Sequence, residues 1–223
     1  MKHRLAKVLA AQQGIDRMKN QSMPNRRHLL NAAVGVSLST APLLANALTM
    51  KAAPDGIERL PVLGPAPHFA LDSTKGTRVT LADLRGKVLL VTFVFTTCST
   101  SCPILVAKLA ELGRAMGDEF GTRYAFVAIT VDPLTDTPAR LRTYAASLGA
   151  DIPGWYFLTG TPKAIDATVR GFGSYAKPAD TGGVDHLFLT SLVDRAGRMR
   201  VQYMGTKFDS REMQRDLQML ASE

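Results

Sequence analysis

Residues Phe93 to Pro103 read F-V-F-T-T-C-S-T-S-C-P and hold both cysteines of the chain, Cys98 and Cys102. They close an apolar run of Val88, Leu89, Leu90, Val91, Phe93, Val94 and Phe95. A run without polar alternation marks a strand buried on both faces, as at the centre of an α/β sheet. Pro103 suits the first position of a helix, where its missing N–H costs nothing. Leu105, Leu109, Leu112 and Met116 then recur at helical spacing until Gly117. The thiols therefore lie at a strand–helix junction, where α/β folds place their sites.

Further elements follow on both sides. Lys51 to Pro67 is rich in Pro and Gly and reads as a linker, within a boundary of 48–67. Phe69–Leu71 and Val79–Leu81 read as short strands around turn chemistry at Asp72–Gly76. Tyr124–Val131 reads as a second long strand. Thr137-Pro138 opens a helix with Leu141, Tyr144, Ala145 and Leu148 on one face, stopped by Gly149. Trp155–Leu158 is a short strand, and Thr161-Pro162 opens a helix that turns Ile165, Val169 and Phe172 inward. Gly171 to Gly183 reads as a polar loop, and Leu187–Val193 with Met199–Met204 as a hairpin around Arg195-Ala196-Gly197. Asp209 and Glu212 form a capping box for a last helix bearing Met213, Leu217 and Leu220. The order predicts one α/β domain over 68–223, with a mixed sheet and helices on both faces.

The formal charge of +8 belongs mostly to the N-terminal segment. Seven of the 27 Lys and Arg and one of the 19 acids fall in residues 1–47, leaving 20 bases against 18 acids. No Lys/Arg stripe with interleaved aromatics remains, so nucleic-acid binding is not expected. Arg26-Arg27 precedes a mild apolar stretch, about Leu29 to Leu44, and Ala45-Asn46-Ala47 offers a small-residue cleavage site. This predicts an export signal over 1–47 of a twin-arginine-like kind, and a periplasmic protein. The alternative is an uncleaved segment anchored to the inner membrane, although Asn31, Ser37, Ser39, Thr40 and Pro42 interrupt the apolar stretch. Membrane contact is expected only through this segment or a partner. No cysteine follows the stretch, so lipidation is not expected.

Cys102 is expected at the N-cap of the helix, where the free N–H groups and the macrodipole favour its thiolate. Three intervening residues allow the two sulfurs either to close a disulfide or to grip one ion. A purely structural disulfide is the plain alternative, but such bridges usually staple small, loop-rich domains. A thioredoxin-type redox pair has two intervening residues, not three. Outside the signal only His68 and His186 remain. His68 reads as a surface or packing residue. His186 precedes a strand, with Asp185 beside it as a candidate supporting group. Two thiolates and an imidazole form a soft donor set that suits Cu(I), and less selectively Cu(II) or Zn(II).

Three blocks resemble the Sco/SenC family of copper-binding, thioredoxin-like proteins over about residues 60–222. They are F-T-T-C-S-T-S-C-P at Phe95–Pro103, V-D-P-L-T-D-T-P at Val131–Pro138, and Val184-Asp185-His186 followed by Leu192-Val193-Asp194. Leu158-Thr159-Gly160 also resembles the family's L-T-G turn. The resemblance implies a thioredoxin-like fold and one copper ion, Cu(I) or also Cu(II), held by Cys98, Cys102 and His186. It implies a metallochaperone that assists assembly of the copper centre of respiratory cytochrome oxidase. The partner would be an apo copper-acceptor protein, either an oxidase subunit or another copper chaperone. Asp132 and Asp136 lie in the second block as candidate supporting groups; Asp132 could orient ligands, and it also fits a cap and turn role. Ser99 stands where the family often has Pro, and Leu187 and Ser191 replace residues that are often polar and aromatic.

As a metallochaperone the chain is not expected to be a classical enzyme; the rival reading, from the enzyme class, is a periplasmic thiol–disulfide oxidoreductase that reduces target protein cysteines. In it Cys98 attacks and Cys102 resolves. A peroxidase of the T-x-x-C type fits worse, because that threonine would fall at Phe95.

Overall fold

A computed structural model describes residues 60–179 and 183–223. The export signal, the first part of the linker and Gly182 lie outside the described residues. The main sheet has eight strands: β1 (Gly64–Pro65), β2 (Ala70–Ser73), β3 (Arg78–Thr80), β4 (Val88–Val94), β5 (Tyr124–Thr130), β6 (Trp155–Thr159), β9 (Leu189–Val193) and β10 (Arg198–Met204). A separate two-stranded sheet is made of β7 (Ala176–Pro178) and β8 (Val184–His186). The main order is β1-β10-β9-β4-β5-β6-β2-β3. Strands β4, β5 and β6 are parallel, and every other pairing is antiparallel. The helices are α1 (Ser101–Ala115), α2 (Pro138–Ser147), α3 (Pro162–Gly171) and α4 (Ser210–Ser222).

β4 and β5 are buried along their whole lengths, as their apolar composition requires. Alternation sorts β4 between two layers. Val88, Leu90 and Val94 pack with α1, α2 and α4. Leu89, Val91 and Phe93 pack with Ile165, Val169 and Phe172 from α3 and its end, and with Leu71, Val79 and Leu84. Thr92, polar within this strand, is matched by Thr190 of β9 at 3.1 Å. A buried hydroxyl is tolerated when it has such a partner.

Threonine N-caps open α2 and α3 as the Thr-Pro pairs predict, with Thr137 accepting from Arg140 N–H and Thr161 from Ala164 N–H. Three expectations change. Residues 64–65, read as linker, pair with Arg198 and Met199, and Leu63 N–H reaches Met199 O at 2.8 Å. The polar loop contains β7, whose Ala176, Lys177 and Pro178 face His186, Asp185 and Val184. Neither short strand carries an apolar alternation, so periodicity hides both. Asp209 caps α4 through Arg211 N–H at 2.8 Å, not through Glu212 as a capping box would.

At the end of the sheet where β4 begins, Arg200 is buried against Asp194 at 3.0 Å and against the Glu223 carboxylate. It also donates to the Leu60 and Pro61 carbonyls. The strands' other end carries the cysteines.

Candidate metal centre

β4 hands the chain to the cysteine loop through a buried acid. Asp136 has no exposed surface. Its carboxylate accepts from Thr96 N–H at 3.1 Å, from the Thr96 hydroxyl, and from the Thr130 hydroxyl at 2.6 Å. Arg140 Nε in turn donates to Thr96 Oγ1 at 2.8 Å. Asp136 thus fixes the backbone two residues before Cys98, and a buried carboxylate needs such donors to be stable. Asp132 lies at the turn after β5. Its carbonyl accepts from Thr135 and Asp136 N–H, and its own N–H donates to Thr130 Oγ1 at 2.9 Å.

The helix begins two residues earlier than Pro103 predicts. Thr100 is the N-cap, without a side-chain bond, and Cys102 is the second helical residue. Pro103 still fits, because the whole first turn lacks acceptors for its N–H groups. The capping acceptor is a sulfur: Cys102 N–H donates to Cys98 Sγ at 3.3 Å. This reverses the expected assignment of the thiolate. Burial pushes the Cys98 thiol up, but hydrogen bonds from the Cys102, Thr100 and Ser101 backbone and from the Cys102 thiol outweigh it and hold Cys98 below its ordinary value. Cys102 is fully buried. Burial pushes its thiol well above its ordinary value, the Phe95 backbone offsets part of this, and Cys98 and Asp136 add to it. Both cysteines are free thiols.

His186 ends β8 and is 6% exposed. Neither ring nitrogen finds a hydrogen-bond partner among the described residues. Burial lowers the pKa of the ring, against smaller upward effects of the Leu187 backbone and Asp185. Asp185 turns to solvent and pairs with Lys177 at 3.3 Å. The imidazole touches two phenyl rings, Phe188 at 4.3 Å and Phe95 at 5.5 Å between centroids. His68 is exposed and takes no part.

A cavity of about 210 Å³ joins the two arms, with Cys98, His186, Phe95, Phe188, Val184 and Asp185 among its walls. Larger hollows lie beside Asp166 and Arg170 and beside Arg195, and neither is lined by a thiol or imidazole. Among the described residues no three Cys, His, Asp or Glu side chains stand in a metal-holding array. The arms share one cavity and are not yet one coordination sphere. Two thiols and an imidazole with both nitrogens unbonded still make a fitting donor set for a soft ion. The sequence did not single out Thr96, Thr130, Arg140 or Phe188. Only Thr96 had a signal, its place in the cysteine block.

The SCO1/SenC family model matches residues 64–222. The SCO1 protein homolog of Bacillus subtilis is 29% identical over 142 residues, covering 62% of this chain and 73% of that protein. The chain also matches 49% of the length of the yeast mitochondrial protein SCO1. Among solved structures, ScoI of Bradyrhizobium japonicum, with copper bound, has a TM-score of 0.60 and 32% identity, over 69% of this chain and 98% of that one. BsSco, a member of the Sco family of cytochrome c oxidase assembly proteins in which a disulfide switch was identified, has a TM-score of 0.65 and 25% identity, over 74% of this chain and 99% of that one. These likenesses carry the thioredoxin-like fold, and with the family model spanning the whole sheet and its helices, the chain belongs to the SCO1/SenC family.

Proposed function

We propose that this chain is a copper metallochaperone that takes one copper ion as cargo through Cys98, Cys102 and His186 and passes it to an acceptor protein in cytochrome oxidase assembly. The observation that carries this reading is the buried imidazole, unpartnered at both nitrogens among the described residues, on the cavity that Cys98 also lines. Leaving buried polar atoms unpaired costs about 1–3 kcal/mol each, so such a group is worth explaining by a ligand. The copper-bound relative supports the choice of ion, and the named role of BsSco supports the process. The basic, apolar and small-residue order of residues 1–47 supports export to the periplasm.

Binding begins at Cys98, the more acidic and more exposed thiol. Cys102 follows by giving up its proton, and His186 closes the set from the two-stranded sheet. Release to an acceptor runs through exchange of these ligands for the acceptor's thiols, with Cys98 the accessible end. Cys98–Cys102 oxidation removes both thiolates, so copper affinity and redox state are linked.

The same asymmetry favours thiol reduction as a second activity. A Cys98 thiolate attacks a target disulfide, forming a mixed disulfide and expelling one target thiolate. Cys102, on losing its proton, then attacks the Cys98 sulfur and expels the second. Two electrons pass to the target, and Cys98–Cys102 is left as a disulfide.

Copper stoichiometry and Cu(I) competition affinity on the reduced protein test the first reading. One tightly held ion, lost or weakened in Cys98→Ser, Cys102→Ser and His186→Ala, is expected. Full-affinity binding by His186→Ala contradicts it.

A further inference from the structure

Metal-binding imidazoles usually donate their second N–H to a carboxylate, carbonyl or water, which fixes the ring's orientation and tautomer. His186 makes no bond of full hydrogen-bond geometry among the described residues, and the Leu187 backbone acts on it only as a smaller effect than burial. Asp185, the adjacent carboxylate, is engaged with Lys177. What holds the ring is aromatic. Phe188 lies tilted against it at 4.3 Å and 48°, and Phe95 meets it edge-on at 5.5 Å and 85°. Such pairs prefer defined offsets and angles, so they orient as well as bury.

The two phenyl rings belong to the body of the protein, while the imidazole belongs to the two-stranded sheet. Phe95 follows β4 and is 8% exposed. Phe188 packs against both core layers, and its carbonyl accepts Gly205 N–H at 2.8 Å, just past β10. His186 sits in the two-stranded sheet, joined at Ala176. The phenyl rings are thus the fixed wall against which a separately built arm is set.

We propose that Phe188, backed by Phe95, is a positioning residue for His186, doing by packing what a hydrogen bond does in ordinary imidazole sites. The inference rests on the reading of His186 as a copper ligand. Two consequences follow. The ring plane is held while both nitrogens stay free to bind. The two phenyl rings also add no oxygen or nitrogen donor beside the imidazole, which suits a low-coordinate Cu(I), and the polar part of the cavity wall is left to Thr100, Ser101 and Asp185.

The test is a cycle of Cu(I) competition affinities on the reduced full chain: wild type, Phe188→Leu, Phe188→Tyr, His186→Ala, and Phe188→Leu with His186→Ala. The Cys98–Cys102 reduction potential is measured on each without metal. Phe188→Leu is expected to weaken Cu(I) binding about three- to tenfold, the worth of an aromatic pair. Phe188→Tyr restores it, and Phe188→Leu changes nothing further once His186 is gone. The reduction potential of Phe188→Leu matches wild type. Unchanged affinity in Phe188→Leu overturns the inference. So does a loss that persists without His186, or a shifted potential, either of which signals general loosening of the cysteine loop. If His186→Ala binds at full strength, the ligand assignment fails and the inference falls with it. If His186→Ala is weakened and Phe188→Leu is not, only the role of Phe188 falls.

Discussion

Cys98 and Cys102 hang from the end of β4 and the first turn of α1, elements packed into the two layers of the core. His186 hangs from a two-stranded sheet outside the main eight. The cysteine arm is internally satisfied: Cys98 Sγ takes the Cys102 N–H, and Asp136 takes both donors of Thr96. The histidine arm is buried yet unsatisfied at both nitrogens among the described residues. One arm is satisfied within the fold, and the other carries a buried imidazole that the described residues leave unpaired.

The largest expected effect breaks the cysteine arm. Cys98→Ser or Cys102→Ser should lower Cu(I) affinity by about a thousandfold, on the scale of zinc-finger zinc sites, whose about 10–16 kcal/mol is shared among four ligands. Competition with a Cu(I) chelator reads the loss.

Arg200→Ala sharpens the contrast from the far end of the sheet. It takes Arg200 from both Asp194 and Glu223, while Asp194 keeps Arg198 at 2.7 Å and two backbone N–H donors, so chemical denaturation should show a loss of about 3 kcal/mol. Copper affinity of the folded variant should match wild type. Asp136→Ala sits between these extremes. It orphans Thr96 N–H and the Thr130 hydroxyl, at a cost of about 3 kcal/mol, and should also weaken copper binding about 10- to 100-fold by loosening the loop before Cys98. Melting and competition on the same variant check both halves.

Acid titration of wild type against Asp194→Asn probes the Asp194 end. Burial would raise the pKa of Asp194, but the Arg198 backbone and side chain and Arg200 outweigh it and hold it below the ordinary carboxylate value. A depressed folded pKa gives stability that is complete above the unfolded value, near 3.9, and is lost as pH falls from there through the folded value. Asp194→Asn should therefore flatten the dependence of unfolding free energy on pH below about 4. The smallest effect is expected at Tyr144. Its hydroxyl is buried with no partner among the described residues, so Tyr144→Phe should be neutral or stabilising by about 1 kcal/mol in a thermal melt.

Much of the fold was legible because apolar runs and Thr-Pro caps act locally. Val88–Val94, Thr137-Pro138 and Thr161-Pro162 fall where their chemistry places them. β1 and β7 were not legible, since Gly64–Pro65 and Ala176–Pro178 become strands only through their partners. Of the candidate residues picked from the sequence, Cys98 and His186 come to one cavity, and the electrostatics were less legible. A helix N-terminus argued for the thiolate at Cys102, but full burial overrides the dipole there and the sulfur cap transfers acidity to Cys98. The phenyl wall around His186 could not be read from spacing, because Phe95 and Phe188 are ninety-three residues apart and meet only through the sheet.

X-ray absorption at the copper edge of the reduced, Cu(I)-loaded protein tests the two-armed site most directly. Two sulfur neighbours and one nitrogen are predicted, with the nitrogen absent in His186→Ala. A wild-type shell of sulfur alone, or a nitrogen that persists in His186→Ala, would contradict it.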